Sequence, residues 1–327
     1  MASIIQTLIL GLLLGGVYAL FASGLTLVFG VMRIVNIAHP VFIFLAAFIT
    51  YTLHTGAVLH ILGWTLEIQG TGLDPILSIT ITMPVMFIIG ILIYRFVLSR
   101  DAESPKYTEM TVLITFALAL MVEGLLGDIF TGTNRTVRTS YINKAYFPQD
   151  IFLALGMQDA ATAVKASEFG RILIPATRLY ASLTGFALIG GLWALLRFTR
   201  LGYAIRATMQ NREAAKTVGV NVERVSMIAF GIGMALAGAS GSLYSFLFSF
   251  FPNGHWEWVA LLLSLIVLGG MGEIFGAVVG AIILAVAAGF VQNELGPTWQ
   301  PLTFYLSLFI ILLVRPQGLF GKKIEAR

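Results

Sequence analysis

The sequence predicts an all-α polytopic membrane protein, a transmembrane helix bundle of about eight to ten spans with broken or re-entrant helices. Hydrophobic residues make up 58% of the chain and charged residues only 11%, with a mean hydropathy of +0.90. A soluble domain carries about 25% charged residues, so lipid is expected to cover much of this surface. Charges are also absent from long windows, several of which reach the roughly 20 residues that a helix needs to cross the hydrocarbon core. These windows are 1–32, 34–66, 75–94, 179–196, 225–256, 274–293 and 295–314.

Nine hydrophobic segments are the predicted spans. They lie near 4–31, 41–61, 76–97, 109–130, 179–197, 225–251, 257–269, 274–292 and 302–315. Segments such as 76–94 are apolar on every face, which favours helices over the alternating strands of a β-barrel. The first segment is too long for a cleaved signal peptide and has no basic residue before Arg33, so we expect it to be retained. The short segment 257–269 ends in a glycine-rich run, which predicts a half-helix or a re-entrant piece.

Lysine and arginine predict the orientation, because cytoplasmic loops carry an excess of basic residues. The stretches 95–106 and 197–224 and the C-terminal tail are basic and are expected in the cytoplasm. The connections that lack Lys and Arg, and are expected outside, are 62–75, 252–256 and 294–301. The loop 131–171 carries five basic residues. The crossing count still places it outside, since the rule weakens for long loops.

Small residues four apart share a helix face and let two backbones approach closely. Gly272, Gly276 and Gly280 form a predicted GxxxGxxxG ladder, and Gly11 and Gly15 form another pair. The cluster Gly231, Gly233, Gly238 and Gly241 has the same character. The glycines assigned to helix breaks and close packing are Gly269, Gly270, Gly272, Gly276 and Gly280. Plain helix packing, without transport chemistry, is the simpler interpretation of each pair. The total of 34 glycines nevertheless indicates a tightly packed bundle with broken helices, as in transporters.

The polar stretch 200–224, RLGYAIRATMQNREAAKTVGVNVER, separates two apolar segments. The composition of 203–217 predicts a short helix, and Gly219 predicts a turn that ends it. Because two spans can be linked without a helix, this one indicates a docking surface. The alternative is an interfacial helix held by anionic lipid, and physical chemistry alone leaves both interpretations open.

Four regions, in order, resemble motifs of the branched-chain amino acid permease family of ABC importers, and of its "H"-type subunit in particular. Glu213-Ala214-Ala215, followed three residues later by Gly219, resembles the EAA---G coupling motif, and the stretch ending in Arg206-Ala207 resembles G-x-A-x-R-A. The other matches are an N-terminal signature at 15–39, a glycine block at 266–280 and a tail at 315–321. Two positions depart from the family pattern. Pro40 replaces a glycine, which suits the first turn of a helix, and Glu273 replaces a serine.

The resemblance implies one permease domain over 1–327, with a cytoplasmic coupling loop at 198–224, in the bacterial inner membrane with a cytoplasmic C-terminus. It implies a second permease subunit, in a heterodimer or a homodimer, with two cytoplasmic ATPase subunits and a periplasmic solute-binding protein as further partners. The residues that it assigns to ATPase coupling are Arg206, Glu213, Ala214, Ala215 and Gly219. The chain has no G-x-x-x-x-G-K-[ST]. We therefore expect no cofactor here, with ATP and Mg bound by the partner ATPases.

Candidates for the solute pathway or its gate come from three places. Glu123 lies inside an apolar run, and an ionisable residue in a span is a functional hypothesis by default; it could line the pathway, bond across the subunit interface, or be wetted from outside. Asn36 and His39 follow the first span, and could line a gate or serve as a helix cap and an interfacial histidine. Aromatic residues crowd 244–258, either as an interfacial belt or as a solute entrance. The candidates among them are Phe250, Phe251 and Trp256.

Other functions are less favoured by the sequence. A secondary transporter or channel is the main alternative, but intramembrane charges for ion coupling are few. An enzyme is disfavoured because the chain has no H-E-x-x-H or G-x-S-x-G motif, no cysteine, and no histidine spacing for a metal. We expect no nucleic-acid partner. The solute could be a branched-chain amino acid, or urea, a short amide or an aromatic acid, which related permeases handle.

Overall fold

The computed structural model describes residues 2–61, 64–99 and 106–321. The helices in this part of the chain are α1 (Ala2–Met32), α2 (His39–Thr55), α3 (Pro75–Ile93), α4 (Tyr107–Phe130), α5 (Pro148–Ala154), α6 (Gln158–Ala166), α7 (Ala176–Phe198), α8 (Arg200–Gln210), α9 (Arg212–Thr217), α10 (Val222–Leu247), α11 (Trp256–Gly269), α12 (Ile274–Leu295) and α13 (Gln300–Val314). Two small antiparallel strand pairs, β1 with β2 and β3 with β4, accompany them. The strands are β1 (Gly56–Ile61), β2 (Trp64–Gln69), β3 (Ala145–Tyr146) and β4 (Ile174–Pro175).

The bundle has two ends. We call the end at which α1 begins the N-terminal end, and the end at which α1 finishes the C-terminal end. At the N-terminal end, Gln6 Nε2 donates to the Leu173 carbonyl over 2.7 Å, and Tyr141 bonds to Asp74. At the C-terminal end, Arg33 Nη2 donates to the Met209 carbonyl over 3.2 Å. Each set of connections predicted to share a side of the membrane therefore shares an end of the bundle, including the basic loop 131–171. Some basic residues used for the orientation lie outside the described residues: Arg100, Lys322, Lys323 and Arg327.

The predicted membrane spans are confirmed. Seven described helices are long and apolar enough to cross a bilayer: α1, α3 with the turn that continues it, α4, α7, α10, α12, and α13 with the turn before it. The apolar helices α2 and α11 are shorter, with 17 and 14 residues. At 1.5 Å per residue α11 is about 21 Å long. It is the short helix predicted at 257–269, and it ends at the predicted glycines.

Two predicted spans are shorter than expected. The segment 41–61 is helical only to Thr55, because Gly56 adopts a φ of +82° and β1 then pairs with β2. The segment 225–251 is helical only to Leu247, and residues 248–251 are extended. Apolar composition alone does not distinguish a helix from a strand or a buried extended segment.

The centre of the bundle is formed by α1 and α10, and glycines set their close approach to neighbouring helices. A Cβ at Gly11 or Gly15 would lie 2.7–2.8 Å from the α12 backbone, and one at Gly233 would lie 2.9 Å from the Gly24 carbonyl of α1. Ser242 adds a polar junction, since its hydroxyl lies 2.9 Å from Thr50 Oγ1 of α2 and 2.8 Å from Thr82 Oγ1 of α3. Close helix packing accounts for these glycines.

The predicted ladder of Gly272, Gly276 and Gly280 needs a correction. Gly272 lies in the turn before α12, with a φ of +87°, where it faces Gly30 of α1. Gly276 and Gly280 do lie on α12, and both pack against Gly269 at the end of α11. Gly270, with a φ of +105°, makes the tight turn that joins these two helices. The chain returns to this turn after α13, where Leu319 donates its N–H to the Leu268 carbonyl over 2.8 Å.

Candidate functional site

The loop between α7 and α10 contains two helices rather than the single helix predicted over 203–217. The chain breaks at Asn211, which is extended with a φ of −155°. Its side-chain oxygen accepts hydrogen bonds from the N–H groups of Glu213 and Ala214, at 3.1 and 3.0 Å, and so caps α9. Asparagine is among the strongest N-cap residues, and this capping preference outweighed the helical composition on both sides. Gly219 makes the predicted turn with a φ of +88°.

The two helices expose most of the predicted coupling residues at the C-terminal end of the bundle. Glu213, Ala214 and Gly219 are exposed, whereas Ala215 is buried. Arg206 is exposed and stacks over the Tyr203 ring at 4.7 Å. The composition-based prediction did not single out Tyr203 or Val218, whose exposed fractions are 60% and 77%. Their only signal in the sequence is an apolar residue within a polar loop.

The same loop is firmly attached to α1. Ile205 and Thr208 of α8 are buried, and the Met209 carbonyl accepts a hydrogen bond from Arg33. A Cβ at Gly30 would overlap the Met209 side chain, so α1 and α8 are in direct contact. Thr199 Oγ1 accepts from the Gly202 N–H over 3.0 Å, and Asn221 Oδ1 from the Arg224 N–H over 2.9 Å, capping α8 and α10. The loop is therefore a rigid, capped structure.

The segment 33–38 turns back into the bundle after α1. A Cβ at Gly24 would lie 3.1 Å from the His39 ring, so α2 begins beside the eighth residue before the end of α1. This places His39 about 12 Å along α1 from Met32, at 1.5 Å per residue. Non-helical backbone at membrane depth is tolerated only inside protein or beside a cavity. His39 is wholly buried, which differs from the interfacial histidine considered in the sequence analysis.

Asn36 stabilises this segment without capping α2. Its Oδ1 accepts from the Ala38 N–H over 3.1 Å, and Pro40 occupies the first turn of α2 as predicted. Asn36 Nδ2 and both ring nitrogens of His39 have no partner among the described residues. Asn36 also lines a cavity of about 10 Å³ with Leu263 of α11. This volume is close to the lower bound for one water molecule, so the cavity holds nothing larger.

The aromatic residues at and after the end of α10 are mainly buried, so the interfacial-belt interpretation is wrong for Phe246 and Phe250. Phe250 is fully buried and Phe246 nearly so. Phe250 contacts Phe48 of α2, with ring centroids 5.0 Å apart. The reason is the extended segment 248–251, which folds into the bundle with the helical turn 252–255 instead of continuing α10. Phe251 is half-buried and packs around Gly254.

Glu123 is bonded within the chain. Trp256 Nε1 donates to Glu123 Oε2 over 2.8 Å, and the buried His255 Nε2 lies 3.9 Å from the same oxygen. The Glu123 side chain retains 24% exposure. The structure thus brings together two of the predicted pathway residues, Glu123 and Trp256. Along the length of the bundle, Glu123 and Trp256 lie at a different depth from Asn36 and His39.

Polar groups also meet at the N-terminal end, away from the predicted site residues. The Tyr141 hydroxyl donates to Asp74 Oδ1 over 3.3 Å. Burial, more than the Asp74 carboxylate, raises the pKa of this hydroxyl, so it remains a donor. Among the described residues no group of three histidines or carboxylates is placed to hold a metal ion.

Comparison with known proteins places the chain in context. Residues 7–314 match the family described as "Branched-chain amino acid transport system / permease component". The chain is 25% identical over 328 residues to the high-affinity branched-chain amino acid transport system permease protein LivH of Salmonella typhimurium, covering 97% of this chain and 96% of that protein. It is 24% identical over 329 residues to the corresponding BraD of Pseudomonas aeruginosa, with the same coverage.

A shorter similarity links the chain to a second type of permease. It is 30% identical over 123 residues to the high-affinity branched-chain amino acid transport system permease protein LivM of Escherichia coli, which covers 36% of this chain and 28% of that protein. No solved structure matches the chain significantly.

Proposed function

This chain belongs to the branched-chain amino acid transport permease family, and we propose that it is one of two membrane-spanning subunits of an ATP-driven importer. Separate chains supply the two ATPases and the solute-binding protein. A second permease subunit, of the type to which 36% of this chain is similar, completes the pathway. The relatives' names favour a branched-chain amino acid as solute.

The orientation follows from the charges at the two ends. The described C-terminal end carries Arg33, Arg95, Arg200, Arg206, Arg212, Lys216, Arg224 and Arg315. These basic residues favour a cytoplasmic location for the C-terminal end. The N-terminal end and its two strand pairs then lie in the periplasm. The ATPases then meet the C-terminal end and the binding protein meets the N-terminal end. The chain itself performs no covalent chemistry in this scheme.

The observation that carries the proposal is the capped loop α8–α9. A lipid-bound helix would present an apolar face to the membrane, whereas α9 exposes Glu213, Lys216 and the adjoining Val218 together. Glu213 and Lys216 pair at 3.2 Å, with exposed side chains. Such a surface, polar around an apolar centre, has the character of a protein contact.

The attachment of this loop to α1 suggests how closure of the ATPases reaches the pathway. Movement of α8 would displace Met209 and, through its hydrogen bond, Arg33. Arg33 is the first residue of the segment 33–38. This segment contains the buried Asn36 and leads into the buried His39 of α2. Two rigid helices on either side of an irregular segment are a physical basis for such coupling.

Charge reversal and turn disruption test the docking assignment. In the double variant Glu213→Lys/Gly219→Pro, the ATPase subunit should co-purify at least about tenfold less, a loss of about 1.4 kcal/mol of binding. Proline fixes φ near −65°, which is incompatible with +88° at Gly219. Asp159→Lys, an exposed charge reversal at the opposite end, is the matched control and should co-purify as the wild type does. Equal co-purification of all three proteins would overturn the docking assignment.

A further inference from the structure

A cavity at the N-terminal end lies where the β1–β2 hairpin meets the ends of α2 and α4. Its volume is about 670 Å³, within the range of about 300–1,000 Å³ typical of small-molecule sites. Two charged residues of opposite sign line it, Glu67 and Arg135. The apolar part of the lining comes from Tyr51, Ala57, Val58, Ile68, Ile129 and Phe130.

Arg135 is held in place by its backbone and by its side chain. Its N–H and carbonyl exchange hydrogen bonds with Phe250, at 2.8 and 2.9 Å. Its Nη2 donates to the Phe130 carbonyl over 2.6 Å, and the guanidinium lies 5.0 Å from the Tyr51 ring centre and 5.5 Å from that of Phe130. The planar group is therefore fixed at the wall of the cavity before any ligand arrives, which lowers the cost of binding.

This guanidinium has no carboxylate partner among the described residues, and its Nε is buried without a hydrogen-bond acceptor. A cation removed from water gains most from a paired anion. Arginine presents its donors in a fork that matches a carboxylate. Arg135 thus supplies one half of a recognition site for a molecule that carries a carboxylate.

Glu67 supplies the other half. It lies on β2, opposite Val58 of β1, and it is exposed towards the same cavity. No described cation pairs with it. A carboxylate, a guanidinium and an apolar wall around one cavity complement an α-ammonium, an α-carboxylate and an aliphatic side chain.

We propose that this cavity is an acceptor site for a free, zwitterionic aliphatic amino acid, with Arg135 binding the carboxylate and Glu67 the ammonium. The assignment rests on the proposed transport function. The cavity adjoins Phe250 and the buried aromatic cluster, so a solute released by the binding protein rests here before it passes inward.

The site is tested by direct binding to the chain in lipid nanodiscs, measured by saturation-transfer NMR. Three probes separate the two charges: L-leucine, 4-methylpentanoate with only the carboxylate, and 3-methylbutylamine with only the ammonium. A hydrogen-bonded charge pair contributes enough for an effect of about tenfold or more. Arg135→Gln should weaken leucine and 4-methylpentanoate by that factor and leave 3-methylbutylamine unchanged. Glu67→Gln should do the reverse for the two single-charge probes.

Matched variants guard against an unfolded protein. Arg138→Gln removes an exposed arginine of the same loop and should bind all three probes as the wild type does. Arg135→Lys keeps the charge but not the fork, and should weaken 4-methylpentanoate less than Arg135→Gln does. Unchanged leucine binding in Arg135→Gln, or equal loss of all three probes in both Arg135 variants, overturns the proposal.

Uptake by the assembled transporter distinguishes the two levels of inference. If the wild-type assembly accumulates leucine with ATP while the Arg135 and Glu67 variants accumulate it equally well, the acceptor site is wrong and the transport function stands. If the wild-type assembly shows no ATP-dependent uptake, the transport function falls whatever the binding data show.

Discussion

The contact between α10 and α2 at Gly241 gives a sharp test of the packing described above. A Cβ at Gly241 would lie 2.6 Å from Ala46 Cβ and 2.8 Å from the Ala47 nitrogen, and still closer to the Ile43 carbonyl. Contacts under 3.0 Å are essentially never seen for a Cβ, so the two helices must separate. The variant Gly241→Ala is therefore expected to destabilise the protein.

The magnitude follows from two opposing terms. Overpacking a filled interior costs about 1–3 kcal/mol, and replacing glycine by alanine within a helix returns about 0.5–1 kcal/mol. The net loss is about 0–2.5 kcal/mol. Separation of α10 from α2 would also strain the neighbouring hydrogen bond between Ser242 and Thr50, which adds to the loss.

Gly124→Ala is the matched control, because a Cβ there meets nothing within 4 Å. This variant should keep only the favourable helix term and gain up to about 1 kcal/mol. Equilibrium unfolding in mixed micelles of sodium dodecyl sulfate and dodecyl maltoside, followed by tryptophan fluorescence, measures both free energies. Shifts of the same sign and size for the two variants would refute the packing at Gly241.

Two further predictions concern hydrogen bonds at the site. The Trp256–Glu123 bond should give a coupling of about 0.6 kcal/mol, and at most about 1.7, in a Trp256→Phe/Glu123→Gln double-mutant cycle of unfolding; additive single-variant effects would show that the bond contributes nothing. Asn211→Ala should remove the cap of α9, at a local cost of about 0.5–2 kcal/mol, and speed amide hydrogen exchange over 212–217 while leaving 222–247 protected. Unchanged exchange over 212–217 would mean that Asn211 does not hold α9.

Much of this fold could be predicted from the sequence because the bilayer imposes a local requirement. A span must be long, apolar and helical, and the nine apolar segments predicted from the sequence coincide with the seven membrane-length helices and with the shorter α2 and α11. Gly219 and Pro40 were also placed correctly, since a turn glycine and a first-turn proline depend only on neighbouring backbone.

The departures arose where a side chain or a distant segment decided the conformation. Asn211 is compatible with a continuous helix in composition, and only its bonds to the next turn divide α8 from α9. The return of 33–38 into the bundle depends on space beside Gly24 and Gly233. Residues 248–251 continue the apolar run of α10 in the sequence, and the burial of Phe250 against α2 is a tertiary effect.

The cavity lined by Glu67 and Arg135 is the clearest case of a feature that was not predicted from the sequence. Glu67 and Arg135 are far apart in the chain, and each looks like an ordinary exposed charge in a loop. Their common cavity depends on the pairing of β1 with β2 and on the bridge between Arg135 and Phe250. The only signal of this cavity in the sequence was Arg135, a basic residue that accompanies the aromatic residues at the ends of two spans.

Uptake into proteoliposomes tests whether this chain translocates its solute with energy from separate ATPases. The chain, its second permease subunit and the ATPases are reconstituted together, and radiolabelled leucine is supplied with the binding protein. We expect leucine to accumulate only when ATP is present on the ATPase side. This accumulation should be lost in the double variant Glu213→Lys/Gly219→Pro. Accumulation by this chain alone, driven by a proton or sodium gradient without ATPases, would contradict this expectation and identify a secondary transporter.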